Sequence, residues 1–526
     1  MHHSPDKSEI LEQIHTINPS DPDDIALVKR QIAYHNTAIS AIQDEADSLL
    51  QQLRRLRFKQ LEHQEAVNLY RGTITLARRL PHEILASIFE MCVRDGWTRT
   101  PLIVSHVCSS WRAAAGPTVW SHIYVNLDAR DPYGRTLYWI TKSQSVLLDI
   151  SLEMRSDVSC LPRVVDLLIN HSARWRSLAV MSSVIAHTNA VLSQCTGPFP
   201  HLSALNISIS EDLGEETMLP ALSNFSNAPK LHTLALTQSA LLHVGTFPSS
   251  LTTLSITLND PELTEGVPVS STNKLLNFLG GVAARLRHFS LAIPFGHKRK
   301  FVHDHALARI VALSSLESMT LMGLSDLHVI LACLHTPALS RLHLLSSHES
   351  QGAVDDVTGA ALVQLVQRSN PPLQLLQLRD VDVPRQSFID CFASLPKLKV
   401  LRLHDSEISN DVFEVLQGER CYCPELSTLD LRWCGQVSGS TLVRLVQSRS
   451  RSSHCSPITS ISVINCSLVA EEDVLGLARV TSCRVVIDDS DEHCRTVGCC
   501  ENGRYRRRLL MRLGDAVDRT IRLVLR

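Results

Sequence analysis

Cys423-Pro424-Glu425-Leu426-Ser427-Thr428-Leu429-Asp430-Leu431-Arg432-Trp433-Cys434 is the stretch on which the reading of this chain turns. Leu429 and Leu431 lie two residues apart, so on a strand both point to one face. Leu426, three residues earlier, completes an L-x-x-L-x-L hexad. A single hexad decides nothing. Further copies begin at Leu147, Trp175, Leu202, Leu231, Leu251, Leu286, Leu316, Leu339, Leu373, Leu398 and Ile458, with a degenerate one at Val480. Stacked as a parallel sheet, such strands bury one face in a continuous core, with a helix or looser segment in each crossover.

The crossovers carry the expected helical stripes. Ala361-Leu362-Val363-Gln364-Leu365-Val366-Gln367 is nearly repeated by Thr441-Leu442-Val443-Arg444-Leu445-Val446-Gln447, each following a strand hexad. Intervals of about 20 to 35 residues match the leucine-rich-repeat period. Cys434 and Cys466 sit at the ninth position, where that repeat uses Asn or Cys to bond the turning backbone. The segment thus resembles the cysteine-containing class of leucine-rich repeat. The expected fold class is α/β: a leucine-rich-repeat solenoid over residues 145–488, preceded by a small all-α unit and an N-terminal helix.

Residues 1–24 read as a disordered polar tail broken by Pro5, Pro19 and Pro22. A long helix is expected over 25–71, closed by Gly72. Val28, Ile32, Ile39, Ile42, Ala46, Leu49, Leu53 and Leu56 recur at steps of four and three, interrupted by His35. This heptad suits a coiled coil and a homodimer, or one helix packing back on its own chain.

Residues 76–125 hold a compact apolar segment. Leu80-Pro81-His82-Glu83-Ile84-Leu85, Ile88-Phe89, Val104, Val107-Cys108, Trp111-Arg112 and Trp120 resemble the F-box. Ile84, Leu85, Ile88 and Phe89 fall at helical spacing, and Val104, Val107, Cys108 and Trp111 supply a second apolar face. A unit of about 40 to 50 residues cannot bury a self-sufficient core. The resemblance implies that Leu80, Pro81, Ile84, Ile88, Val107, Cys108, Trp111 and Trp120 bind the Skp-type adaptor of a cullin-RING ubiquitin ligase. A longer middle connection, Glu90 to Pro101, departs from the family pattern. The arrangement as a whole resembles the F-box-like family of mushroom-forming fungi. The alternative is a plain helical cap on the first repeat.

On each repeat strand the residues between and just after the inward leucines are expected to face solvent on the concave side. These are Gln377 and Arg379, then Arg402 and His404, then Asp430, Arg432 and Trp433. They are the candidate substrate-binding face. Trp433 is either an interface anchor or a ring covered by an Arg stem.

The remaining observations mostly exclude. A net charge of -2 points to no nucleic-acid partner. No apolar run approaches the roughly 18 to 20 residues of a membrane span, and no signal peptide is apparent. Fifteen cysteines, an odd number, suit reduced thiols in the cytoplasm or nucleus. His493, Cys494, Cys499 and Cys500 lack paired zinc-ligand spacing. Catalytic motifs are missing, so neither an enzyme nor a cofactor is expected. In the final segment, 489–526, Arg504-Tyr505-Arg506-Arg507-Arg508 would open an amphipathic helix through Leu509, Leu513, Val517, Ile521 and Val524 or Leu525. That helix would either close the repeat array or meet an acidic surface.

Overall fold

The computed structural model describes residues 21–73, 79–155, 159–209, 224–225, 228–237, 250–257, 272–292, 309–323, 327–346, 357–381, 383–406, 408–417, 422–487 and 521–524. The chain divides into two units, one of residues 1–88 with 106–114 and one of 89–105 with 115–526.

The first unit opens with α1 (Pro22–Thr73), 52 residues or about 78 Å of helix. Asp21 caps it, its Oδ1 accepting from the Asp23 amide at 3.0 Å. Asp23 and Asp24 in the first turn and Arg71 in the last complement the helix dipole. The helix runs through Gly72, the expected stop, to Thr73. Ile32, Ile39, Ile42, Leu49, Leu53 and Leu56 are all exposed along it. Three shorter helices follow in the chain, α2 (His82–Arg94), α3 (Thr100–Val107) and α4 (Ser109–Ala114); the division falls within α2 and α3, whose residues 89–94 and 100–105 count with the second unit. His82 Nε2 lies 3.0 Å from Ser110 Oγ, tying the start of α2 to α4. Because α2 extends to Arg94, the connection expected over Glu90–Pro101 shrinks to residues 95–99, where Gly96 turns the chain at φ +90°.

The second unit is built on a fifteen-stranded sheet. Its strands are β1 (His122–Asn126), β2 (Leu148–Met154), β3 (Trp175–Ser182), β4 (Ala204–Ile209), β5 (Thr233–Thr237), β6 (Thr253–Thr257) and β7 (His288–Ala292). They continue with β9 (Ser318–Met322), β11 (Arg341–Leu345), β12 (Leu375–Arg379), β13 (Val400–His404), β14 (Thr428–Arg432), β15 (Ser460–Ile464), β16 (Ser482–Ile487) and β17 (Ile521–Val524). Two short strands, β8 (Val311–Ala312) and β10 (Leu334–His335), form a separate parallel pair. The large sheet keeps chain order throughout and is parallel until β17, which returns antiparallel to β16. Every hexad read from the sequence carries one of these strands.

Alternation explains the layering. Leu376 and Leu378, Leu401 and Leu403, Leu429 and Leu431, and Ile461 and Val463 lie in register on successive strands, all fully buried. Each such side chain contributes about 1.5–3 kcal/mol on burial. Parallel neighbours require crossovers, and helices Val357–Ser369 and Gly439–Arg451 supply two of them. Their stripes coincide: Leu362, Leu365 and Val366 in one, Leu442, Leu445 and Val446 in the other, all buried. The ninth-position thiols bond backbone as the pattern requires, Cys434 Sγ reaching the Leu403 carbonyl at 3.3 Å. Arg449 is fully buried, its guanidinium donating to the carbonyls of Ser456, Leu416, Tyr422, Cys423, Pro424 and Leu426. It thus satisfies loop carbonyls that would otherwise be buried without donors.

The first helix starts at Pro22, inside the expected tail, because proline suits the first helical turn; two further expected boundaries move. The sheet begins at β1, inside the segment assigned to the F-box-like unit, because Ile123 and Val125 alternate inward and pair in register with Ile150 and Leu152. At the other end, residues 521–524 are a strand where the amphipathic pattern called for a helix. The free edge of β16 offers unpaired amides and carbonyls, which an extended segment satisfies. Leu509, Leu513 and Val517 lie outside the described residues, as do the tail before Asp21 and the cluster of His493, Cys494, Cys499 and Cys500. No helix among the described residues is long and apolar enough to cross a membrane.

Candidate functional site

Two surfaces carry the residues singled out in the sequence. The first belongs to the helical unit. Ile84 and Ile88, four apart on α2, are 48% and 40% exposed, and Val107 at the end of α3 is 55% exposed. Pro81 is exposed, and Leu80, Cys108 and Trp111 are half-buried. Leu85, by contrast, turns inward. Branched aliphatic side chains left this open in a unit this small are a surface to which another molecule can add its own apolar area.

Trp120 does not belong to that surface. It ends the short helix Pro117–Trp120 and is only 4% exposed. Its indole Nε1 donates to the Ala115 carbonyl at 3.0 Å, and its ring meets Tyr138 and Trp139 edge-on at 5.4 and 6.2 Å. It therefore fills the core beneath β1. The sequence signal was available: Trp120-x-x-Ile123-x-Val125 is itself a hexad, with Trp in the place that Trp175 takes two strands later.

The second surface is the polar face of β12, β13 and β14. Gln377, Arg402 and Asp430 form one row across the three strands, and Arg379, His404 and Arg432 form the next. All of the expected face residues line one cleft of about 260 Å³, together with Asp405. Parallel register produces this gathering, since residues 25 to 28 apart in sequence become neighbours about 4.8 Å apart.

The cleft is held by ion pairs. Arg432 grips Asp430 with two bonds, Nε to Oδ1 at 3.0 Å and Nη2 to Oδ2 at 2.9 Å. His404 Nε2 stands 3.6 Å from the same carboxylate, and Arg379 Nε lies 3.4 Å from Asp405 Oδ2. Burial alone would push the Asp430 carboxyl up, but His404 and Arg432 outweigh it and hold it well below the usual carboxylate range. Arg402 differs. It donates to Gln377 Oε1 at 3.4 Å, and among the described residues it forms no ion pair with a carboxylate. His343, 3.1 Å from the same Gln377 oxygen, is held below its ordinary value by burial, then by the charges of Arg402 and Arg341 against that hydrogen bond.

Two residues expected to face solvent do not. His404 is buried, and Trp433 is only 7% exposed. For Trp433 the reason is the strand exit. Gly323, Asp380, Asp405, Trp433 and Asn465 each follow a strand and each has φ between 54° and 75°. Left-handed backbone suits Gly, Asn and Asp but opposes a bulky side chain. Trp433 is the one large residue in that series, and the turn folds its ring into the cleft wall. Asp405 occupies the matching position one strand earlier. It escaped the sequence reading because the position after the strand was sampled only at Trp433.

No group of three or more His, Cys, Asp or Glu side chains among the described residues could hold a metal ion. No protein-family model and no curated protein matches the chain. Among solved structures it is similar to a chain in the crystal structure of the Rad7 and Elc1 complex in yeast. Identity is 16%, over 63% of this chain and 76% of that chain, with a TM-score of 0.35. A likeness that loose leaves the family open.

Proposed function

We propose that the chain is a substrate-recognition adaptor of a cullin-RING ubiquitin ligase of the SCF type. The helical unit binds a Skp-type adaptor, and a leucine-rich-repeat solenoid presents the polar face of β12–β14 to a substrate protein. The observation that carries this reading is the exposure of Ile84, Ile88 and Val107. Covering each would contribute about 1 kcal/mol, half of what full burial yields for side chains of this size. The chain performs no catalysis itself in this reading; it works in the cytoplasm or nucleus by holding two proteins together.

Co-purification tests it. The chain should recover a Skp-type adaptor, and a combined Ile84→Asp and Val107→Asp change should reduce recovery at least tenfold. Undiminished recovery, or none from the unaltered chain, counts against the reading. A second reading, a ligase-independent scaffold, draws on the exposed heptad positions of α1. There a homodimer would form through α1 and no adaptor would co-purify. Sedimentation of the chain with and without Leu49→Asp reads the self-association directly.

A further inference from the structure

We propose that the cleft over β12–β14 receives a carboxylate side chain from an acidic segment of the partner protein, with Arg402 as its ion-pair partner. This deepens the reading of that face as the substrate-binding face and rests on it. The argument is one of charge. Arg379, Arg402 and Arg432 bring three positive charges, while Asp405 and Asp430 bring two negative ones. Arg379 is engaged by Asp405 and Arg432 by Asp430. Among the described residues, Arg402 is left with a neutral amide.

A guanidinium offers a planar fork that a carboxylate matches with two bonds. The cleft volume of about 260 Å³ has room for a side-chain carboxylate and its stem. The ring of Trp433 walls the cleft and keeps water from one side, which strengthens an ion pair formed there. Backbone held against its preference to place a bulky ring at that point is the kind of strain that clusters at ligand clamps. The uncompensated charge is single, which matches a carboxylate better than a phosphate of charge about -1.5 to -2.

The test is selection of peptides from a random display library on the full chain, alongside the Arg402→Gln and Arg402→Glu chains. Unaltered protein should enrich Asp- and Glu-containing peptides. Arg402→Gln, which keeps the side chain polar and of similar reach, should weaken a selected peptide at least tenfold with an unchanged melting curve. Arg402→Glu should remove the acidic preference altogether. The inference is overturned if nothing acidic is enriched, if both altered chains select as the unaltered one does, or if a matched phosphoserine peptide binds more tightly than its Glu counterpart. Recovery of the Skp-type adaptor in the same preparations separates the two readings. Adaptor recovery without acidic selection sinks only the inference. Acidic selection without adaptor recovery sinks only the ligase role.

Discussion

Asp149 on β2 and Asp430 on β14 are answered by the same side-chain types, yet the two neighbourhoods end differently. Asp149 accepts from Arg176 through both oxygens, one contact being Nε to Oδ1 at 2.9 Å, and from Ser177 Oγ at 2.7 Å. His122 Nδ1 lies 3.3 Å away on the preceding strand. Asp430 likewise has a forked Arg and a His on the preceding strand. Both carboxyls are held below the usual range, their hydrogen bonds outweighing the burial that would raise them. Around Asp149 one guanidinium meets one carboxylate and the charges cancel. Around Asp430 the neighbouring strands add Arg379, Arg402 and Asp405, and one cation is left over. The same local lock leaves its charges balanced on one strand pair and an extra cation beside it on the other.

Breaking the balanced cluster should have the largest effect on stability. Asp149→Ala leaves Arg176, Ser177 and His122 facing a missing acceptor in a half-buried setting, costing about 2–3 kcal/mol. Thermal melts should show a drop of several degrees, with peptide binding at the cleft unchanged. Asp430→Asn keeps the shape and should cost less, about 1–2 kcal/mol. It also adds net positive charge to the cleft, so an acidic peptide should bind several-fold more tightly by fluorescence polarisation. Weaker binding would refute the charge argument.

Trp433→Asn should cost about 1 kcal/mol or less, against the 3–5 kcal/mol usual for truncating a core Trp. Relief of the left-handed backbone offsets the lost burial. A full-sized penalty in chemical denaturation would show that the turn is unstrained.

The smallest effects are in pH. Both carboxyls sit below their unfolded value of about 3.9, so their contribution is complete above about pH 4 and is lost as pH falls through the folded values. His122 is also lowered, chiefly by burial and against the charge of Asp149. Its contribution is complete above about pH 6.5 and is lost as pH falls below that. His122→Gln should therefore flatten the melting temperature's slope just below pH 6.5, while Asp149→Asn and Asp430→Asn flatten it below pH 4.

Much of the sheet could be read in advance because the two-residue period of a strand is local and leucine marks it plainly. Leu376 and Leu378, or Leu429 and Leu431, announce an inward face without reference to any neighbour. The first strand escaped because its hexad is written with Trp120, Ile123 and Val125, and because Trp120 also fitted a helical motif. The last escaped because Ile521-Arg522-Leu523-Val524 fits a helical stripe and an alternating strand equally well; the open edge of β16 decided between them. At the cleft, alternation identified the outward residues of each strand but not their partners, and it left Trp433 pointing at solvent.

Alone, the amino-acid order determined which side chains share a strand face and which helices return between strands, since both follow from backbone periodicity within a few residues. Tertiary structure decided which charges meet. Inter-strand register sets Gln377, Arg402 and Asp430 side by side, and only when those neighbours are in place can one guanidinium be seen to form no ion pair among the described residues.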